Sequence, residues 1–173
     1  MRALHRFVGA LDICAMIVPN PPGGCFDGSR HLYAVRVYYE DTDLSGITYH
    51  ANYLRWFERA RSDLLRLLDI DQRAAIEAEV GAYAVSEVNL KYLRPAKLDD
   101  DVVIDTICTE LGAASCRMRQ RAFRNFGRNM GGEEELLSEA TLRVGFISLD
   151  GRPRRQPVEW RAAFKAFMED ETA

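Results

Sequence analysis

The sequence predicts an α+β fold in which an antiparallel β-sheet wraps around one long central α-helix. Three observations predict it: a strand pattern that ends at an acidic turn, an amphipathic helix that begins just after His50, and four strand-like runs further along the chain. No second long helix interrupts those four runs. Consecutive strands joined by short connections pair as antiparallel hairpins, so the long helix has one sheet to pack against.

The first strand is predicted from Tyr33 to Tyr39. Tyrosine or valine occupies residues 33, 35, 37 and 39, and the residues between them are alanine, arginine and tyrosine. This alternation has the period of a half-buried strand. The acidic turn follows directly.

The long helix is predicted from the apolar residues that follow Asn52. They recur every three or four positions, as Tyr53, Phe57, Ala60, Leu64, Leu67 and Leu68. Arginine and aspartate fill other positions, which gives the helix one apolar face. We expect Asn52 to cap its start, since asparagine is a preferred N-cap residue.

The second half of the chain contains the strands of the predicted sheet. After a short helical or irregular piece from Asp71 to Glu79, strand-like runs cover about residues 82–93, 101–110, 115–126 and 134–149. Gly112 and the glycine-rich residues 127–132 mark two hairpin connections, and Asp150-Gly151 ends the last strand.

Length and composition indicate one ordinary domain. The chain has 173 residues, 47% of them apolar, and a net charge of −3 with both signs interspersed. This balance gives no electrostatic reason to expect nucleic acid or an anionic membrane as a partner. We expect the domain over residues 31–160, with an N-terminal extension over 1–30 and a C-terminal tail over 161–173.

The expected extension allows three interpretations. Arg2 and Arg6 precede a short apolar run in the manner of a secretory signal, but Asp12 interrupts it. The run from Ile13 to Val18 is short for a membrane span, and a Pro/Gly-rich linker follows it. A mobile extension, or a translation start placed too far upstream, is favoured over a targeting signal.

The cysteines point to no metal centre. Cys14, Cys25, Cys108 and Cys116 show no C-x-x-C spacing, so we expect neither a zinc site nor a disulfide framework. Cys108 and Cys116 are interpreted as reduced core residues, although a hairpin near Gly112 would bring them face to face. No phosphate loop, dinucleotide fingerprint or serine nucleophile elbow is visible, so chemistry without a metal or redox cofactor is expected.

Residues 39–53 are the candidate reactive segment. They combine the acids of Glu40-Asp41-Thr42-Asp43 with Gly46, Tyr49 and His50, directly before a helix. A carboxylate at such a point is suited to attack a carbonyl carbon or to activate water. The unpaired N–H groups of a helix start stabilise a developing oxyanion. Residue types alone leave open whether both aspartates only shape the turn.

This segment resembles the hotdog-fold acyl-CoA thioesterases, most closely the Tol-Pal-associated and 4-hydroxybenzoyl-CoA thioesterase-like group. The likeness rests on residues 40–43, Gly46, residues 49–53 and residues 57–61, and on a second block from Glu87 to Asp100. The resemblance implies a hotdog fold and places the catalytic acid at Asp43. It also implies sheets paired edge to edge, with the active site between subunits. One helix cannot cover both faces of the sheet, which also favours a homodimer or homotetramer.

The remaining site candidates have defined roles. His50 is expected to polarise the thioester carbonyl through its backbone N–H, with its imidazole orienting water or protonating the thiolate. Tyr49 is a candidate catalytic residue that lines the acyl pocket or hydrogen-bonds the substrate, with a core residue as the alternative. Gly46, Tyr53 and Tyr83 are expected to bind substrate. Three basic residues are candidates for the coenzyme A phosphates: Lys91, Arg94 and Lys97.

Two further groups of charges have more than one interpretation. Glu58 lies on the predicted helix and is an alternative catalytic carboxylate, but pairing with Arg61 is favoured. An arginine stripe alternates along one strand as Arg117, Arg119 and Arg121. A solvated face is favoured, and an acidic partner or the nucleotide of coenzyme A is the alternative target.

The sequence therefore predicts a cytoplasmic, homo-oligomeric acyl-CoA thioesterase. Coenzyme A would be part of the substrate and not a resident cofactor. An acyl-carrier-protein thioesterase and a non-catalytic, envelope-associated acyl-binding scaffold are the alternatives.

Overall fold

The protein folds as an antiparallel sheet with a long helix packed on one face. This computed structural model describes residues 20–126 and 134–170. In chain order the elements are β1 (Cys25–Asp27), β2 (Arg30–Arg36), a 3-10 turn (Tyr39–Asp41), α1 (His50–Leu67), α2 (Gln72–Glu77), β3 (Ala82–Tyr92), β4 (Asp101–Leu111), β5 (Ser115–Arg124), β6 (Glu135–Ile147) and α3 (Val158–Glu169). Within these residues the strands form one six-stranded sheet in the order β1-β2-β4-β5-β6-β3, with every pair antiparallel. The predicted α+β architecture is confirmed.

The core lies between α1 and the inner face of the sheet. Five residues of α1, spaced three or four apart or adjacent, are at most 2% exposed: Tyr53, Trp56, Phe57, Ala60 and Leu64. They pack against inward residues of the strands, among them Ile104, Ala122 and Leu137. Burial of each large side chain contributes roughly 1.5–3 kcal/mol, so the apolar stripe of α1 holds the helix on the sheet.

The first strand and the helix start differ from their predicted bounds. β2 ends at Arg36, and the expected strand residue Tyr39 begins a 3-10 turn instead. The carboxylate of Asp41 accepts the N–H of Tyr38 at 2.9 Å, which closes a turn where the strand would have continued. Tyr49, not Asn52, is the N-cap of α1, and Asn52 is the third residue of the helix.

The folded part of the chain begins earlier than residue 31. Residues 25–27 form β1 and pair with β2, inside the expected extension. The N–H of Gly24 donates to Oδ2 of Asp63 on α1 at 2.8 Å, and Nε2 of His31 lies at the same distance from that oxygen. A Cβ on Gly24 would lie 2.4 Å from the carbonyl oxygen of Leu32, so only glycine fits there. Residues 1–19 lie outside the described residues, and the interpretations of that segment remain predictions.

The C-terminal segment is also part of the domain. α3 spans the expected boundary between residues 160 and 161 and continues to Glu169. Phe164 and Phe167 are buried and pack in a cluster with Leu64, Cys116 and other apolar side chains. Aromatic residues spaced three and four apart, at 160, 164 and 167, give α3 the apolar stripe that holds it there.

Strand β3 forms one edge of the sheet. It pairs with β6 on one side, and its Val85 and Val88 are each 43% exposed. The hairpin predicted near Gly112 is confirmed, with the N–H of Gly112 donating to the carbonyl oxygen of Ser115 at 2.8 Å. β5 and β6 pair as predicted, but the residues 127–132 assigned to their connection lie outside the described residues.

Two further sequence expectations concern cysteines and membranes. Cys108 and Cys116 are both buried in one apolar cluster, which confirms their interpretation as core residues. In the part of the chain that the structure describes, no helix has both the length and the apolarity needed to cross a bilayer.

Candidate active site

Asp43 lies at the tip of a small hairpin between β2 and α1. Its N–H donates to the carbonyl oxygen of Ile47 at 3.1 Å, and its own carbonyl oxygen accepts the N–H of Gly46 at 3.0 Å. Gly46 has a φ of +76°, and a Cβ at this position would meet no atom within 4 Å. The turn therefore needs glycine for its backbone conformation and not for lack of space.

The Asp43 carboxylate is exposed and held as an anion. Its Oδ1 accepts the backbone N–H of Ser45 at 2.8 Å and also the Ser45 hydroxyl. These hydrogen bonds, chiefly the one from the hydroxyl, lower the pKa of Asp43. The side chain is thus ionised at neutral pH, as attack on a carbonyl or activation of water requires.

The start of α1 leaves N–H groups available beside this turn. Tyr49 is the N-cap but makes no side-chain capping bond. Its own N–H is used, since it donates to the carbonyl oxygen of Asp41 at 2.8 Å. The next N–H groups, those of His50 and Ala51, have no acceptor among residues 20–126 and 134–170. They can therefore stabilise negative charge on a carbonyl oxygen.

The side chain of His50 is exposed and lies among aromatic rings. Its ring centroid is 4.4 Å from that of Tyr49 and 6.2 Å from that of Tyr92 on β3. The Tyr92 hydroxyl donates to the carbonyl oxygen of His50 at 3.0 Å. The structure thus brings three predicted catalytic residues, Asp43, Tyr49 and His50, to one end of α1.

The second sequence block meets the first at this end of the helix. The N–H of Thr48 donates to the carbonyl oxygen of Ala96 at 2.8 Å, and the N–H of Ala96 donates to the Tyr53 hydroxyl at 2.9 Å. Tyr53 is only 2% exposed. We predicted Tyr53 as a substrate-binding residue, but its side chain fills the core and its hydroxyl joins the two blocks.

Tyr83 lies far from the other candidates within one chain. Nine positions of β3 separate it from Tyr92, which is roughly 30 Å along a strand. Its hydroxyl donates to Oε1 of Gln156 at 2.7 Å, and its ring contacts Phe146 and Trp160. Burial raises the pKa of Tyr83 above its ordinary range. The predicted grouping of Tyr83 with His50 does not occur within a single chain.

The three predicted basic residues are exposed on the second block. Nε of Arg94 lies 3.1 Å from a carboxylate oxygen of Glu135, so Arg94 is already paired. Lys91 lies opposite Glu139 in the register of β3 and β6. The backbone N–H of Lys97 donates to Asp100 at 2.8 Å, which shapes the loop. Of these observations, only the exposure of the three side chains favours a role in binding phosphate.

Glu58 is paired with Arg61, as the sequence interpretation favoured. One of its carboxylate oxygens accepts from Nη2 of Arg61 at 2.7 Å, and the other accepts from the Ser62 hydroxyl at 2.8 Å. The sequence did not reveal that Arg61 is also held by the fully buried Gln120, whose Oε1 lies 2.7 Å from Nη1. The sequence held one sign of this contact, since Gln120 falls on the same face of β5 as the apolar residues that alternate with the arginines.

These side chains border a pocket between α1 and the sheet. The pocket has a volume of about 50 Å³. Glu58 and Arg61 line it, together with apolar side chains that include Leu65, Val85, Met118 and Val144. Tyr83, which was predicted to bind substrate, also lines this pocket. The other lining residues were not predicted, because the wall combines residues of one helix and several strands.

The arginine stripe points away from α1. Arg117 and Arg121 form ion pairs with Glu110 and Asp105 at 3.3 and 2.7 Å. Nε of Arg119 is buried and has no hydrogen-bond partner among the described residues. Two of the three arginines thus pair with acidic residues of the same chain, and contact with a partner stays a prediction.

Comparison with known proteins identifies relatives of this chain. Residues 45–130 match the sequence model of the thioesterase superfamily. The acyl-CoA thioesterase YbgC of Haemophilus influenzae is 39% identical over 133 residues, which are 76% of this chain and 92% of that protein. The crystal structure of a probable thioesterase from Bartonella henselae is 31% identical, with a TM-score of 0.61 over 76% of this chain and 100% of that one.

A more distant likeness concerns the fold alone. The 4-hydroxybenzoyl-CoA thioesterase from Pseudomonas sp. strain CBS-3 is 21% identical, with a TM-score of 0.69 over 78% of this chain and 98% of that one. The architecture and the sequence match agree, and the chain belongs to the thioesterase superfamily with the hotdog fold.

Proposed function

We propose that this protein hydrolyses acyl-CoA thioesters to a free carboxylic acid and coenzyme A, with Asp43 as the catalytic carboxylate. One observation carries the assignment of the site. An exposed, ionised carboxylate lies on a tight turn directly before a helix whose first N–H groups are unpaired. Membership of the superfamily and the name of the Haemophilus influenzae relative support the class of substrate.

The chemistry follows from these groups. The N–H of His50 polarises the thioester carbonyl and stabilises the oxyanion that forms on attack. Asp43 either attacks the carbonyl carbon itself, with water later cleaving the anhydride, or removes a proton from an attacking water. In both routes the C–S bond breaks and the thiolate leaves. Because a thiol has a pKa near ~8.5, its departure depends little on protonation by the His50 imidazole.

We further propose that the complete site forms between two subunits. The exposed edge strand β3 offers unpaired backbone groups and the apolar side chains of Val85 and Val88. Antiparallel pairing of β3 with a second copy, centred near the middle of the strand, places Tyr83 of the partner subunit beside Tyr92 and His50. Such pairing restores the grouping of Tyr83 with His50 that one chain lacks. A homodimer, or a homotetramer built from it, is the expected assembly.

In such an assembly the pocket beside α1 is available to the acyl group. Its apolar wall suits the end of an acyl group, and Gly46 contributes through the backbone shape that it gives the turn. The phosphates of coenzyme A would meet Lys91, Arg94 and Lys97 on the exposed second block. Coenzyme A is then part of the substrate. We propose hydrolysis without a resident cofactor, because a carboxylate, backbone donors and water supply every step above.

A cytoplasmic location is proposed together with this activity. Cys25, Cys108 and Cys116 are free, and free cysteines are the usual state in a reducing compartment.

A thiol-release assay tests the proposed function. Acyl-CoA substrates of several chain lengths and one aromatic thioester are compared with the same acyl groups on acyl carrier protein. Faster turnover of the acyl-CoA forms supports the proposal, whereas faster turnover of the carrier-protein forms would identify an acyl-carrier-protein thioesterase. Hydrolysis of none of them would leave a non-catalytic acyl-binding or envelope-associated scaffold. Light scattering on the same preparation measures the assembly, and a fully active monomer would contradict an intersubunit site.

A further inference from the structure

The loop that carries Asp43 is tied to α1 by one buried amide, the side chain of Asn52. Asn52 is 3% exposed and is the third residue of the helix. Its Nδ2 donates to the carbonyl oxygen of Asp41 at 3.0 Å and lies 3.1 Å from Oδ1 of the same residue. Both bonds end two positions before Asp43, so the amide links the helix to the strand of the hairpin that leads to the carboxylate.

Asp41 is itself hydrogen-bonded to other residues at the base of the hairpin. Its Oδ2 accepts the N–H of Tyr38 at 2.9 Å, and its carbonyl oxygen also accepts the N–H of Tyr49. Beyond it, Thr42 pairs with Thr48 as an isolated β-bridge, and the N–H of Asp43 donates to the carbonyl oxygen of Ile47. Asn52 therefore holds the base of a hairpin whose tip carries Asp43.

We propose that Asn52 is a positioning residue, which acts through Asp41 to set the place of the Asp43 carboxylate relative to the N–H of His50. This inference rests on the proposed catalytic role of Asp43. Asn52 belongs to the first turn of the helix that presents the His50 N–H, and its side chain holds the loop that presents Asp43. One residue thus joins the group that reacts with the carbonyl to the group that polarises it. Catalysis is sensitive to this separation, since a misplacement of ~1 Å can cost ~10²-fold in rate.

The arrangement requires an amide at residue 52. Asparagine supplies two N–H donors on a short, stiff side chain, and both neighbouring Asp41 atoms are acceptors. A carboxylate of the same shape would place oxygen against oxygen in a buried position and add a like charge beside Asp41. Asn52→Asp therefore preserves the size of the side chain but replaces attraction to Asp41 by repulsion. We expect the loop to move away from the helix.

The test compares Asn52→Asp with two other variants in the thiol-release assay. Asn20→Asp makes the same chemical change at an exposed residue and is the matched control. The double variant Asn52→Asp with Asp41→Asn again joins a donor to an acceptor between the two side chains, while the carbonyl oxygen of residue 41 is unchanged. We expect Asn52→Asp to lower kcat about tenfold to a hundredfold with KM within about threefold of wild type, while thermal unfolding shows a folded protein. Asn20→Asp should keep the kcat of wild type. If Asn52→Asp lowers kcat a hundredfold, the double variant should have a kcat about tenfold higher than Asn52→Asp.

Several results would overturn the inference. One is a kcat of Asn52→Asp within about twofold of wild type, and another is a double variant no more active than the single variant. If Asn52→Asp does not fold, Asn52→Ala, which adds no charge, is measured by the same criteria: a kcat loss with unchanged KM supports the inference, and full kcat refutes it. Failure of the proposed function gives a different result, because wild type and Asn20→Asp would then release no thiol. Full turnover by Asp43→Asn would remove both the catalytic assignment and this inference.

Discussion

Substitution of Asp43 by asparagine tests the proposed mechanism most directly. We expect Asp43→Asn to fold normally, because the side chain is exposed and the amide keeps an oxygen that can accept from the N–H and hydroxyl of Ser45. The variant removes the negative charge that attack or general-base catalysis needs. Loss of a general base costs ~10²–10⁴-fold in rate, which equals about 2.7–5.4 kcal/mol of transition-state stabilisation. We therefore expect kcat to fall at least about a hundredfold with little change in KM.

The assay is continuous thiol release with an acyl-CoA that wild type hydrolyses well. Asp150→Asn is the matched control, because Asp150 is also an exposed turn residue whose carboxylate accepts a serine hydroxyl two residues away, from Ser148. Its kcat should equal that of wild type. Thermal unfolding of all three proteins separates a loss of chemistry from a loss of folded protein.

Two outcomes would refute the reasoning. Near-wild-type turnover by Asp43→Asn removes the carboxylate from the mechanism. Abolition of activity only by Glu58→Gln would instead assign catalysis to the helical glutamate, which Arg61 and Ser62 hold beside the pocket.

Three further substitutions or deletions test other contacts of the domain. Ser45→Ala removes the main cause of the lowered pKa of Asp43, so the acid limb of kcat/KM should move to higher pH, because activity needs the ionised carboxylate. Deletion of the first 28 residues removes β1 and the N–H that Asp63 accepts, and chemical denaturation should show a loss of roughly 2 kcal/mol or more. Tyr53→Phe leaves a buried backbone N–H unpaired and should lower the free energy of unfolding by roughly 1–3 kcal/mol. An unchanged pH profile of Ser45→Ala would contradict the role of Ser45. Unchanged stability of the deletion variant or of Tyr53→Phe would contradict the contact that the change removes.

Local patterns in the sequence determined much of the fold. The spacing of Tyr53, Phe57, Ala60 and Leu64 predicted the face of α1 that packs on the sheet, because helical periodicity is a property of neighbouring residues. The pairing of Glu58 with Arg61 was also predictable, since residues three apart meet on one helix face. The reactive turn was located for the same reason, as its acids and glycine lie within a few positions of one another.

The errors arose where a distant contact decided the outcome. The start of the folded part was placed after residue 30, yet Gly24 donates to Asp63, 39 residues further along the chain. The C-terminal boundary was placed inside α3 because the sequence did not show what its aromatic residues pack against. Asn52 was assigned as a helix cap from its residue type, but Asp41 across the hairpin takes its amide.

The sequence by itself determined the class of fold, the helix and the turn that presents Asp43, because each depends on residues close together in the chain. Only the tertiary structure showed that Tyr53 is buried and joins Ala96, that Tyr83 lies at the far end of β3 from His50, and that Gln120 holds Arg61 beside a pocket. The spacing of apolar residues indicates which face of a strand or helix is buried. Which side chain of a distant element meets that face depends on the register and curvature of the whole sheet.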